Sequence, residues 1–214
     1  MEPYGLTQWY FLCTVGDRGR MGSWDLEKLV GLTAAAAAEL LLDGAAALED
    51  DRLSLCGPLP AAHLAPVYDY VKRKGAVKVR AVVEAFAVSL TSRMPNSLIE
   101  AVAGSLEAAG LLQRETGGLL GRSPRYVPVP AARDRAVEAL RAELLEEGAV
   151  SEEAAAMALL LHKSGQLNRY FSPYERKGLK ARLKALRQDP EAGRAVALAK
   201  AVEEVIVLAA VAIT

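Results

Sequence analysis

Cysteine, histidine and aromatic residues are scarce in this chain: two, two and twelve among 214 residues. Cys13 and Cys56 are too few for a disulfide framework, which points to a reducing compartment. They do not cluster with the histidines, so neither a structural zinc site nor any other metal or organic cofactor is expected. Charge of one sign is not in excess either, because 26 basic residues face 26 acidic ones. No global field then draws the chain to nucleic acid or an acidic surface, and a charged partner has to be met by a local patch. Long apolar runs are missing: Val205–Ile213 covers nine residues, against about twenty for a bilayer span. No basic segment precedes an apolar run at the N-terminus, which argues against a cleaved signal peptide. The sequence also lacks a serine elbow and a phosphate-cradling glycine loop. Together these gaps predict a non-enzymatic, cytoplasmic protein.

What is present is alanine-rich sequence of helical character, long enough to bury a large core. Its clearest stretch is Ser151 to Phe171. Ser151 suits an N-cap and Glu152 and Glu153 the first turn, where carboxylates meet the positive end of the helix dipole. Ala154 to Leu161 is then apolar on every face, and such a helix belongs inside a protein. The expected fold is mainly α: one globular multi-helix domain over residues 1–214, built around this central helix at about 151–171, with small peripheral β-hairpins.

Along the chain, Leu6 to Val15 reads as strand or extended chain before the turn Gly16-Asp17-Arg18-Gly19. Leu26 to Leu42 has helical spacing, and Asp43-Gly44 stops it. Ala46 to Leu48 and Leu53 to Cys56 flank Glu49-Asp50-Asp51-Arg52 as a small hairpin. Leu64, Val67, Tyr68 and Val71 mark a helix broken by Gly75, and Val79, Val82, Val83 and Phe86 mark the next. Ser97 and Glu100 have capping-box spacing, which predicts a helix from Leu98 to Ala109 ended by Gly110. Leu111 to Glu115 and Tyr126 to Val129 flank a glycine-rich tip, a second hairpin. Val137, Leu140 and Leu144 place a helix before the central one. Beyond it, Ser172-Pro173 starts an amphipathic helix with Leu179, Leu183 and Leu186 inside and Arg176, Lys180, Lys184 and Arg187 outside. Asp189-Pro190-Glu191 begins the last helix.

Several ordered segments resemble the Golgi phosphoprotein 3 family. Trp24 followed by Gly31-Leu32 has the family's spacing, and Glu39-Leu40-Leu41-Leu42-Asp43-Gly44 is similar to its helix-to-hairpin corner. Ser105 to Leu112, Ala158 to Ser164 and Asp189-Pro190-Glu191 continue the series, so the likeness runs from about Phe11 to Ala212. The resemblance implies a single mostly helical domain that binds membranes peripherally, on their cytoplasmic face. In eukaryotic members a tryptophan and three arginines hold the head group of phosphatidylinositol 4-phosphate, and an apolar hairpin tip enters the bilayer. Guanidinium groups suit that task because they match phosphate oxygens bidentately. Carried over, the tryptophan is Trp24, whereas the three arginine positions hold Thr33, Asn96 and Ile99. Lys28, Arg80 and Arg93 are near enough to stand in for lipid-head-group binding, Arg93, three residues before Asn96, being the best placed. Leu119 and Leu120 are the hairpin tip, either entering an interface with Arg114, Arg122 and Arg125 meeting anionic head groups or folding back onto the body as a solvent loop. The partner so implied is an anionic membrane lipid or phosphate-bearing ligand; a protein cargo and self-association stay open.

His162 and His63 invite a catalytic reading, but no triad or ligand set converges on the central helix, and His162 is expected to be structural, hydrogen-bonding a neighbouring loop. The acidic pairs Glu146-Glu147 and Glu152-Glu153 read as solvated helix ends. The cationic stripe of Arg176, Lys177, Lys180, Arg182, Lys184 and Arg187 is the strongest charge feature, a wet helix face or a contact for acidic lipid. Ser97 to Val129 also has the outline of a winged-helix DNA reader or protein-interaction module. Its helix carries no arginine, lysine, asparagine or glutamine between Leu98 and Ala109, so nucleic acid is not expected.

Overall fold

The computed structural model describes residues 4–16, 19, 21, 26–88, 93–117, 123–146, 148 and 150–188. At its centre three helices pack pairwise: α1 (Leu6–Thr14), α2 (Leu26–Leu42) and α7 (Glu152–Lys163). The segment expected as strand is therefore helix α1, and its surroundings explain why. Every residue of α1 but Gln8 is buried, because α2, α5, α6 and α7 cover it on all sides. An apolar segment so enclosed satisfies its backbone internally as a helix and needs no partner strand. Trp9 Nε1 adds a tie by donating to Ala136 O at 2.9 Å. Gly31 lets α2 approach: a Cβ there would lie 2.0 Å from the Tyr10 hydroxyl.

The helix expected at 151–171 is shorter and divided. Ser151 Oγ caps it by accepting from Ala154 N at 3.2 Å, as its sequence predicts, and Ala156–Leu161 are buried. It ends at Lys163, where Gly165 takes a left-handed φ of 69° and Gln166 N donates back to Leu161 O. A short α8 (Leu167–Tyr170) follows, and then α9 (Pro173–Gln188). Ser172 and Glu175 form the capping box of α9: Glu175 N donates to Ser172 Oγ at 3.3 Å and Ser172 N to Glu175 Oε2 at 2.7 Å. Leu179 is buried beneath it. The side chains of Leu183, Leu186 and Arg187, and the helix expected from Asp189, lie outside the described residues.

The remaining elements form the margins. β1 (Ala46–Glu49) and β2 (Arg52–Leu55) are the expected first hairpin, turned by Asp50 and Asp51 at φ 47° and 63°. Both central residues at positive φ match the right-handed twist of the strands. A third strand, β3 (Val77–Lys78), pairs with β2; at two residues it is too short to leave a period in the sequence. Between them, α3 (Ala65–Lys74) follows a short turn, Ala62–Leu64, that brings His63 inside. α4 (Val79–Val83) continues into a wide helical turn over Glu84–Val88.

The next helix, α5 (Arg93–Ala108), starts earlier than its capping-box pattern suggests. Ser97 is not its cap, since its hydroxyl donates to Met94 O, and Pro95 is accommodated in the first turn, where a missing N–H costs little. Leu111 N donates to Leu106 O, closing α5 at Gly110 as expected. β4 (Leu112–Gly117) and β5 (Ser123–Pro128) make the second hairpin, and α6 (Pro130–Leu145) leads back to the core. The fold is thus mainly α with small antiparallel sheets. No helix among the described residues is long and apolar enough to cross a membrane.

Candidate functional site

Of the residues expected to bind a lipid head group, Arg93 is exposed at the start of α5, whereas Trp24 lies outside the described residues, as do Leu119, Leu120 and Arg122. Two of the three positions matched to family arginines serve the core instead. Thr33 is fully buried with its hydroxyl donating to Leu29 O at 2.8 Å, and Ile99 is buried; Asn96 alone is exposed. Arg114, expected to meet head groups, is exposed and held by two carboxylates of α5. It donates to Glu100 at 2.6 Å, sits 3.5 Å from Glu107 and lies over the Tyr126 ring. Tyr126 OH donates to the other oxygen of Glu100 at 2.6 Å, so the hairpin is pinned to α5. Arg125 faces Glu115 at 3.6 Å, an exposed pairing of little strength.

A denser concentration of cations lies elsewhere. From Lys163 to Lys184 the chain carries Lys163, Arg169, Arg176, Lys177, Lys180, Arg182 and Lys184 against one carboxylate, Glu175. Glu175 is engaged by Arg141 at 2.5 Å. The N–H and hydroxyl of Ser172, with Arg141, hold its carboxyl below the usual range. Arg182 donates to the carbonyls of Glu146 and Gly148, completing the C-terminal end of α6. Lys163, Lys177, Lys180 and Lys184 are exposed, and no carboxylate among the described residues pairs with them. His162 is exposed beside them; partial desolvation, Lys180 and Lys163 pull its pKa below the ordinary imidazole value. Tyr174, at the start of α9, is 87% exposed.

A second site is a cavity of about 540 Å³ between the ends of α2 and α6 and the starts of α1 and α7. Tyr4, Leu6, Trp9, Leu42 and Ala139 give it apolar wall, and Glu39, Asp43, Glu143 and Glu153 line it with carboxylate. Glu39 is the buried member: its Oε2 accepts from Thr7 N at 2.6 Å and its Oε1 lies 2.9 Å from His63 Nε2. The absence of a side chain at Gly5 makes room, since a Cβ there would fall 1.9 Å from Glu39 Oε1. Glu143 accepts from Ser151 N at 2.9 Å. Burial first, then the charges of Glu39 and Glu153, raise the pKa of Asp43, with His63 opposing.

The sequence profile of the Golgi phosphoprotein 3 (GPP34) family matches residues 7–205, from α1 to beyond α9. This chain belongs to the Golgi phosphoprotein 3 family. No curated protein matches it. In this family member the buried His63 is the partner of Glu39. His162, expected to bond a neighbouring loop, has no hydrogen-bond partner among the described residues and stands at the surface.

Sequence reasoning did not bring the acids of the cavity together, and Glu153, expected as a solvated helix end, is half-buried at its edge. A pattern existed for Glu39 alone: a carboxylate inside the otherwise apolar run from Leu29 to Leu42 requires a buried partner. The raised pKa of Asp43 means that the native state binds its proton more tightly than the unfolded chain does. The stability this adds is present below the ordinary aspartate value of 3.8 and is lost as pH rises through the raised one. Asp43→Asn is accordingly expected to raise the melting temperature at neutral pH, with the gain vanishing in acid; a melting series across that range measures it.

Proposed function

We propose that this protein is a non-catalytic adaptor that docks peripherally on anionic membrane. The supporting observation is the charge imbalance of the α7 end and α9, where seven basic residues accompany a single carboxylate that Arg141 already holds. Juxtamembrane lysines and arginines each contribute about 1 kcal/mol at an anionic surface, so several are needed and several are present. Tyr174 adds an amphipathic ring of the kind that rests at head-group level. Family membership supports the same reading, with Trp24 and Arg93 as the head-group contacts and Leu119 and Leu120 as the hairpin tip. With Thr33 and Ile99 in the core, charge density rather than a set of arginines governs lipid choice, and phosphatidylinositol 4-phosphate is bound as one anionic lipid among others.

The test is charge reversal. Lys177→Glu, Lys180→Glu and Lys184→Glu together are expected to weaken partitioning onto phosphatidylserine-containing vesicles by about 100-fold, three contacts of about 1 kcal/mol each being lost. Arg93→Glu serves as the comparison for the head-group contact. Partitioning that survives the triple reversal unchanged would remove α9 from the membrane surface.

A further inference from the structure

We infer that the acidic cavity is a binding site for an aliphatic oligoamine, a chain of ammonium groups separated by methylene. Asp43 is exposed and Glu143 and Glu153 are half-buried, and all three border a recess whose wall is also Trp9, Leu6 and Leu42. A volume of about 540 Å³ suits a small organic molecule. Among the described residues no lysine, arginine or histidine lines it, and the side chains of Asp43 and Glu153 have no hydrogen-bond or ion-pair partner. Their mutual repulsion contributes to the raised pKa of Asp43, which an incoming cation would relieve.

The placement of the acids narrows the ligand. Among the described residues, no three acidic, histidine or cysteine side chains converge closely enough to hold a metal ion. A single compact cation therefore cannot satisfy Asp43, Glu143 and Glu153 at once. Separate ammonium groups on a flexible alkyl chain can, one near Asp43 and Glu153 and another near Glu143, with the methylenes against Trp9 and Leu42. Glu39 shapes the floor, since its oxygens are already held by Thr7 N–H and His63.

Calorimetric titration of the full chain tests this with spermidine, butylamine, magnesium chloride and a tri-lysine peptide at matched ionic strength. Spermidine is expected to bind saturably at one site, roughly tenfold or more tighter than butylamine for each further charge-assisted contact. The double variant Asp43→Asn, Glu153→Gln is expected to weaken spermidine by at least roughly tenfold. Glu152→Gln, in the same helical turn but outside the cavity, is expected to leave it unchanged. Ala139→Lys places an ammonium in the recess and is expected to abolish binding; a melting curve of each variant separates lost binding from lost folding. Undiminished spermidine binding in the folded double variant, equal displacement by magnesium, or binding of the peptide without spermidine would each overturn the assignment.

Discussion

Gly31→Ala is expected to lower the stability of this protein by about 2 kcal/mol, although the same change inside most helices gains up to about 1 kcal/mol. The sign reverses because of Tyr10. A methyl group at position 31 would lie 2.0 Å from its hydroxyl and 2.5 Å from Cζ. Tyr10 is fully buried and cannot swing away, so α1 and α2 would have to part, and with them the contacts both make to α7. Chemical denaturation measures the loss. In the double variant Tyr10→Leu, Gly31→Ala the obstruction is gone, and the second substitution is expected to cost much less than it does alone. Strict additivity would show that the close approach of α1 to α2 is not what Gly31 provides.

Glu39→Ala is expected to be more damaging, by about 3–5 kcal/mol, because removing one partner of a buried hydrogen-bonded pair strands the groups left behind. Glu39 is 4% exposed and His63 6% exposed, so neither regains water when the other is removed. Thr7 N–H, at the start of α1, loses its acceptor as well. Glu39→Gln keeps an oxygen for Thr7 N–H and an amide for His63, and is expected to lose less than half as much. A loss under about 0.5 kcal/mol for Glu39→Ala, the range of ordinary surface changes, would mean that the contact is incidental.

Much of the framework was legible in the sequence. Ser151 reads as a cap because a hydroxyl before two glutamates and an apolar run has one cheap arrangement, and the structure uses it. The two hairpins were marked by turn residues between apolar stretches. The misreadings have physical reasons. Leu6–Thr14 lacks a polar face, and period is the signal that separates helix from strand, so a segment covered on all sides leaves none. Ser97 and Glu100 carry capping-box spacing, yet that spacing is also one helical turn, and here both lie within α5. Ser151 to Phe171 was read through Gly165, where the backbone turns left-handed and divides the segment.

The candidate sites divide in the same way. The cationic helix was visible because its charges recur along one element. The acidic cavity was not, since Trp9, Glu39, Glu143 and Glu153 come from α1, α2, α6 and α7 and meet only after folding. Glu152 and Glu153 are neighbours in sequence, but about 100° of helical rotation sends one away from the recess and the other into it.

Vesicle flotation of the unmodified chain tests membrane docking most directly. At low salt the protein is expected to rise with phosphatidylcholine vesicles that contain phosphatidylserine and to stay behind with phosphatidylcholine alone. Raising the salt is expected to release it as the Debye length shortens to about 8 Å near physiological ionic strength. Absence of flotation with the anionic vesicles at low salt, or equal recovery with both kinds, would contradict docking through the cationic face of α9.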